Sequence, residues 1–153
     1  MKKLFHLTKE GVQEIQAEHA ELTARRPELA ERIKSAREFG DLAENAEYTS
    51  ARQEQEQVES RIAEIEHILQ NVDVIKKPKG DSKVQLGSVV KLKDDAAKNK
   101  QFQVVGTVEA DPLNGKISDE SPIGKALMNK KVGDAVEIST PAETTKYKIV
   151  EIS

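Results

Sequence analysis

Apolar residues recur at alternating steps of three and four along two long stretches of the chain. This spacing aligns one residue per turn on a single helix face, and its average repeat is typical of a left-handed coiled coil. The stretches have equal length and a short turn between them, so they predict an antiparallel helical hairpin about 45 Å long. The predicted seam comprises Val12, Ile15, His19, Leu22, Arg26, Leu29, Ile33 and Ala36, then Tyr48, Ala51, Gln55, Val58, Ile62, Ile65, Leu69 and Val72.

Two residues mark the ends of the first predicted helix. Thr8 is a good N-cap residue, and Gly40 is typical of the position just past a helix end. Pro27 interrupts the helix between them, and its missing N–H predicts a bend near Arg25 and Arg26. We interpret this bend as a local distortion that a long coil tolerates, with a functional hinge as the alternative.

The second half of the chain changes to short alternating runs bounded by turn residues, a pattern typical of strands. Ser121 followed by Pro122 predicts the start of one short helix. Strands that follow one another with a single helix indicate an antiparallel α+β domain. The predicted strands are Val84–Lys93, Gln101–Glu109, Gly133–Thr140 and Thr145–Ile152, and residues 111–116 are predicted to form a turn.

The net charge of the chain changes sign between the predicted hairpin and the predicted strands. Residues 1–75 contain 10 Lys and Arg against 16 Asp and Glu, whereas residues 76–153 contain 14 against 11. A polar run with Pro and Gly lies at the junction. We therefore expect a coiled-coil hairpin at residues 1–75, a linker at 76–83 and a second domain at 84–153.

Composition excludes several classes of protein. The absence of cysteine excludes a disulfide framework and thiolate metal sites. No apolar run is long enough to span a bilayer, and the first residues become polar by His6, unlike a signal peptide. A Ser-His-Asp site is not expected, because all three histidines lie in the predicted hairpin. We expect a soluble cytoplasmic protein with no membrane partner.

Three acids, Asp41, Glu44 and Glu47, crowd at the predicted bend of the hairpin. The spacing of Asp41 and Glu44 is that of a capping box, and Glu44 and Glu47 would lie near a helix N-terminus that favours negative charge. Spacing alone favours this structural interpretation. The alternative is ligation of a hard divalent cation such as Mg²⁺, and two carboxylates would then complete a site supplied mainly by a partner.

Basic residues border the acidic bend, with Arg37 before it and Arg52 after it. They belong either to a solvated face with helical ion pairs, such as Glu28 with Arg32, or to a surface that follows nucleic-acid phosphates. Arginine suits phosphate because its planar fork donates several hydrogen bonds.

The bend sequence Gly40–Tyr48, GDLAENAEY, resembles the GDLxENAEY tip motif of the Gre transcription elongation factors, the GreA type. The resemblance covers essentially the whole chain. It extends through Arg25-Arg26-Pro27-Glu28, Ala36-Arg37-Glu38, Ala51-Arg52, Val105-Gly106, Glu109-Ala110-Asp111-Pro112, residues 117–127 and Lys131-Val132-Gly133-Asp134.

This resemblance implies a fold and a partner. It implies an FKBP-like C-terminal domain that docks at the rim of the secondary channel of bacterial RNA polymerase, while the coiled coil enters that channel. The polymerase would then cleave the 3′ end of a backtracked transcript and escape arrest. On this interpretation the protein is a monomeric cofactor of the polymerase rather than a free-standing enzyme.

The resemblance also implies roles for particular residues. Asp41 and Glu44 would hold the second Mg²⁺ and its water jointly with the polymerase, with no metal bound stably by this chain alone. Arg37 and Arg52 would contact the extruded nascent RNA, and Tyr48 would help to position RNA or metal. Ser121, Pro122 and Ile123 would touch the polymerase rim.

Three alternatives remain open at this level. A Gre-like protein that enters the same channel but inhibits the polymerase would carry an altered, more acidic tip, and the intact Asp41 and Glu44 pair argues against it. A prolyl isomerase would line its site with aromatic residues, and the second half offers only Phe102 and Tyr147. In a coiled-coil chaperone or scaffold, the tip acids would be dispensable.

Overall fold

The computed structural model describes residues 4–41, 43–76, 83–139 and 141–153. These residues form two compact units, one comprising Val12–Asn71 and the other combining the described parts of Met1–Gly11 and Val72–Ser153. The expected fold class is confirmed, since the described residues contain a hairpin of two long helices and a sheet domain with one short α-helix. No helix among the described residues is long and apolar enough to cross a membrane.

The elements are numbered here in chain order. The helices are α1 (Lys9–Arg37), α2 (Ala46–Gln70) and α3 (Pro122–Leu127). The strands are β1 (Phe5–Leu7), β2 (Val72–Val74), β3 (Val89–Asp94), β4 (Asn99–Val105), β5 (Lys116–Ser118), β6 (Ala135–Ser139) and β7 (Thr144–Ile152).

The hairpin core follows the predicted seam over most of its length. The sequence placed Leu69 and Val72 in the last turns, but the structure buries Ile68 and assigns Val72 to β2. The buried seam therefore ends before the predicted positions Leu69 and Val72, because α2 stops at Gln70 and the chain becomes extended. The buried side chains are Ile15, Leu29, Ile33 and Ala36 from α1, and Ala51, Val58, Ile62, Ile65 and Ile68 from α2.

Ion pairs join polar side chains of the two helices. Arg26, a polar residue of the predicted seam, binds Glu59 through Nε and Nη2, both at 2.8 Å. Arg61 binds Glu18 in the same two-pronged way, at 2.7 and 3.0 Å, and this hydrogen bonding lowers the pKa of Glu18. Exposed pairs of this kind add little free energy each, but the paired forks fix the register of the helices.

Pro27 lies inside α1, which continues through it without a break. The proline cannot donate to the carbonyl of Thr23, whose own hydroxyl donates to the His19 carbonyl at 2.8 Å. Arg25, on the turn before the proline, forms an ion pair with Glu54 of α2. A bend at Pro27 stays a prediction.

The second unit is built on a five-stranded mixed sheet in the order β5-β4-β3-β7-β6. Its pairs are antiparallel except for the parallel pair of β4 and β5. The sequence predicted an antiparallel sheet because it assigned residues 111–116 to a turn and missed the short strand that follows. The core of the unit contains Val84, Val90, Leu92, Val104, Ile117, Leu127, Val136, Ile138, Tyr147, Ile149 and Ile152.

The domain boundary differs from the one expected at residue 75. β1 pairs in parallel with β2, with Phe5 opposite Val72, so the described residues before Val12 group with the second half of the chain. The expected linker at 76–83 falls mostly on residues 77–82, which lie outside the described residues.

Thr8 caps α1 as predicted, since its Oγ1 accepts a hydrogen bond from Gly11 N at 3.0 Å. The structure adds Glu109, whose carboxylate accepts from Thr8 N at 2.7 Å and from Thr8 Oγ1 at 2.5 Å. The Glu109 side chain is only 3% exposed and lies 3.6 Å from Lys116 Nζ. A Cβ at residue 11 would lie 2.5 Å from this carboxyl group, so Gly11 leaves it room.

Asn45, and not Asp41, caps α2. Its side-chain oxygen accepts from Tyr48 N at 3.0 Å, and its Nδ2 donates to the Ala36 carbonyl at 2.7 Å. The capping box expected at Asp41 and Glu44 is therefore wrong, because α2 begins at Ala46. One amide side chain satisfies both the start of α2 and the end of α1, which a carboxylate could not do.

We expect Glu109→Gln to destabilise the second unit by about 1–3 kcal/mol. The amide has a single acceptor oxygen and would turn donor hydrogens toward the two donors of Thr8, in a buried position. Urea unfolding measures the change. Glu151→Gln is the matched control, since Glu151 is 56% exposed and pairs with Lys91 at the surface, so its effect should stay within about 0.5 kcal/mol. Equal midpoints for the two variants would contradict the structural role of Glu109.

Asn45→Asp should weaken the hairpin by about 1 kcal/mol, because Asp keeps the cap but loses the bond to Ala36. Asn45→Ala should cost about 1 kcal/mol more, since the cap is lost as well. Asp41→Asn should change stability by less than about 0.5 kcal/mol. Urea unfolding followed by helical circular dichroism compares the three, and a larger effect at Asp41 than at Asn45 would refute this assignment of the cap.

Candidate functional site

The turn between α1 and α2, described at residues 38–41 and 43–45, forms the tip of the hairpin. It starts with two turn hydrogen bonds, from Glu38 N to the Ser35 carbonyl and from Phe39 N to the Ala36 carbonyl, both at 3.2 Å. Gly40 follows with a φ of +120°. A Cβ there would meet no atom within 4 Å, so it is the backbone conformation that favours glycine.

The two acids predicted as catalytic, Asp41 and Glu44, are both exposed in this turn. Asp41 Oδ1 accepts from Ala43 N at 3.0 Å, a local turn bond that leaves Oδ2 open. Within the part of the chain that the structure describes, Glu44 makes no hydrogen bond or ion pair. Since Asn45 takes the capping role, neither acid is needed to end or start a helix.

Glu47, the third acid of the cluster, has a different environment. It lies in the first turn of α2, and Arg32 Nη2 is 3.6 Å from its Oε1. Arg32 also donates to Glu54 Oε2 at 2.6 Å. Arg32 therefore pairs with the acids of α2, in place of the Glu28 pair that helical spacing suggested.

The described residues contain no group of three His, Asp or Glu side chains placed to hold a metal ion. Asp41 and Glu44 nevertheless supply the ligand chemistry that Mg²⁺ prefers, because their carboxylate oxygens are hard donors open to solvent. Two carboxylates on an exposed turn fit a shared site, in which another molecule supplies the remaining ligands.

Of the three residues expected to contact RNA, the structure brings two together. The guanidinium of Arg37 lies 5.8 Å from the centroid of the Tyr48 ring, within the range of a cation–π contact. Arg52 has a separate partner, since its Nη1 donates to Gln55 Oε1 at 3.0 Å on the same helix. Arg37 and Arg52 are exposed on either side of the turn, so both can meet an anion.

Phe39 is a feature of the tip that sequence reasoning missed. Its side chain is 84% exposed, although it follows directly after a helix with a buried apolar seam. It borders an open groove of about 470 Å³ whose walls include Ala36 and Glu47. The sequence did contain a signal for this exposure. The residue lies beside the predicted bend and outside the predicted seam, so the hairpin core has no place for its ring.

The residues predicted to dock on a partner, Ser121, Pro122 and Ile123, lie at the start of α3 in the second unit. Ser121 Oγ caps this helix by accepting from Gly124 N at 3.0 Å, and donates to the Ser118 carbonyl at 2.6 Å. Ile123 is half-buried against the sheet core, whereas Pro122 is exposed. Pro122 is therefore the side chain of the three that is most available to a partner.

Both halves of the chain match family models of one group of proteins. Residues 5–74 match the model described as "Transcription elongation factor, N-terminal". Residues 78–153 match the model described as "Transcription elongation factor, GreA/GreB, C-term".

Similar proteins align over nearly the full length. Transcription elongation factor GreA of Thermoanaerobacter pseudethanolicus is 49% identical, with 99% of each chain covered. The protein of that name from Macrococcus caseolyticus is 45% identical, covering 100% of this chain and 99% of its own. Among solved structures, the GreA factor homolog 1 protein of Thermus thermophilus is 31% identical over 99% of both chains, with a TM-score of 0.46. The chain thus belongs to the GreA/GreB family of transcription elongation factors.

Proposed function

We propose that this chain is a transcript-cleavage factor of bacterial RNA polymerase. Its hairpin enters the secondary channel and stimulates the polymerase to cleave the 3′ end of backtracked RNA, which rescues the arrested complex in the cytoplasm. The observation that supports this most is the tip itself, where Asp41 and Glu44 are exposed on a turn whose helix ends are capped by Asn45.

The dimensions of the hairpin support the proposal. At 1.5 Å per residue, the 29 residues of α1 and the 25 of α2 give helices about 40 Å long. A rod of this length can carry the tip acids to a site that is buried in another protein. The ion pairs of Arg26 and Arg61 hold the two helices in register along it.

Asp41 and Glu44 would hold Mg²⁺ together with carboxylates of the polymerase. When bound there, the ion supplies an activated water and stabilises charge on the scissile phosphate. The turn bond to Ala43 restrains one oxygen of Asp41 and leaves the other to face the ion, whereas Glu44 is free to adjust its side chain. The chemistry belongs to the polymerase, so this chain acts as its cofactor and not as an enzyme by itself.

Arg37 and Arg52 would contact the extruded RNA through its phosphates. The Tyr48 ring restricts the guanidinium of Arg37, so less side-chain freedom is lost when the phosphate binds. Pro122 and the turn before α3 would meet the polymerase rim, and one copy of the chain suffices for all these contacts.

Asp41→Asn and Glu44→Gln should each lower stimulated RNA cleavage by about 100-fold, because each removes a charged metal ligand. The measurement is shortening of 5′-labelled RNA in a stalled, backtracked elongation complex. Glu47→Gln is the matched control and should cleave normally, since Glu47 of α2 already pairs with Arg32 of α1.

Binding to the polymerase separates the possible failures. Both tip variants should still bind, because the docking surface is elsewhere. Wild-type cleavage by both variants would refute the metal role. A wild-type protein that binds the polymerase and leaves the RNA uncut would refute the proposed function and favour the inhibitory alternative.

Arg37→Gln should reduce cleavage at low protein concentration and weaken its dependence on salt, because one phosphate contact is lost. Tyr48→Leu should act in the same direction by freeing Arg37, and Tyr48→Phe should retain activity because the ring remains. The double variant Arg37→Gln with Tyr48→Leu should be no worse than Arg37→Gln alone. Fully additive losses in cleavage titrations would contradict the coupling of the two side chains.

A further inference from the structure

Phe39 has no assigned role in the proposed mechanism, yet it presents an aromatic ring at the tip. It is 84% exposed, more than any other described large apolar side chain except Leu113. A single exposed apolar side chain is ordinary on a protein surface. The position of Phe39 is not ordinary, because it lies two residues after Arg37 and two residues before Asp41.

Chain geometry places the backbone of Phe39 close to that of both residues. Three consecutive residues span at most about 7 Å between their outer Cα atoms, so Phe39 lies within that distance of Asp41 and of Arg37 along the backbone. The groove of about 470 Å³ beside it is bordered by Ala36, Ser35 and Arg32. An apolar ring, a cation and a carboxylate thus lie together on one short segment.

We propose that Phe39 stacks on a nucleobase at the 3′ end of the backtracked RNA. This inference rests on the proposed function and adds a contact to it. Single-stranded RNA is bound by aromatic rings that stack on its bases and by cations that pair with its phosphates. The tip supplies both, since Phe39 offers the ring and Arg37 the cation, which suits an RNA partner better than an apolar protein surface.

Stacking would give Phe39 a positioning effect on the reaction. A base held against the ring fixes the adjacent phosphodiester near Asp41 and Glu44, and the contact tolerates any base because every base has a π-face. The ring is not packed in the hairpin core, so it can be replaced without a loss of folding.

The test uses the full-length protein with stalled, backtracked complexes that carry either a normal or an abasic 3′-terminal nucleotide. The variants are Phe39→Leu, which keeps an apolar side chain without a ring, and Phe39→Trp, which keeps the ring. On normal RNA, Phe39→Leu should lower cleavage at least about fivefold, and Phe39→Trp should stay close to wild type. On abasic RNA, wild type should fall to the level of Phe39→Leu, and Phe39→Leu should lose nothing further.

Other results overturn the inference. Wild-type cleavage by Phe39→Leu on normal RNA would mean that the ring has no role. An equal loss by Phe39→Leu on normal and abasic RNA would mean that the ring contacts the polymerase or the hairpin, and not the base.

A fluorescence measurement separates this inference from the proposed function. RNA with 2-aminopurine at its 3′ end is placed in the complex, and Asp41→Asn protein is added so that cleavage is not required. The ring is supplied by the double variant Asp41→Asn with Phe39→Trp, whose indole is oxidisable and quenches a stacked 2-aminopurine. Stacking predicts quenching by this protein and its loss in the double variant Asp41→Asn with Phe39→Leu. Equal quenching by both proteins would refute stacking, whereas normal cleavage by Asp41→Asn alone would refute the metal role and leave stacking standing.

Discussion

The tip of this protein depends on one amide side chain, that of Asn45. The last carbonyls of one helix and the first N–H groups of the next are left without partners inside their own helices. Asn45 satisfies a member of each set, accepting from Tyr48 N and donating to the Ala36 carbonyl. The neighbouring acids are therefore not needed as helix caps, and Glu44 and the second oxygen of Asp41 stay available on the turn.

Acidic side chains have different partners along the hairpin helices and at the tip. Along the helices, acids such as Glu18 and Glu59 are matched by arginines of the opposite helix. At the end, Asp41 and Glu44 have no cationic partner among the described residues, although Arg37 is close in sequence. Arg37 instead lies over the Tyr48 ring. The tip thus leaves its acids and its cation unpaired with each other among the described residues, which is what a site needs if it is to bind both a metal ion and a phosphate.

Local sequence patterns predicted the hairpin from its periodicity, and the cap at Thr8 and the start of α3 at Ser121 from residue type. They misplaced the cap of α2, since Asp41 and Asn45 are both good cap residues and only the tertiary contact with Ala36 distinguishes them. They could not find Glu109 either, because that carboxylate reaches Thr8 from 101 positions away. The candidate site residues were predicted from their motif, and coordinates were needed to see that neither Asp41 nor Glu44 caps α2.

The parallel pairing of β1 with β2 has a consequence for the order of folding. These strands flank the whole hairpin, so the second unit is assembled from two segments that are distant in sequence. Joining them directly would require closing a long flexible loop, which is entropically unfavourable. Once α1 and α2 have folded back on each other, the two ends of the insert already lie near one another and the effective loop is short. During synthesis, β1 therefore stays unpaired until the hairpin has left the ribosome and folded.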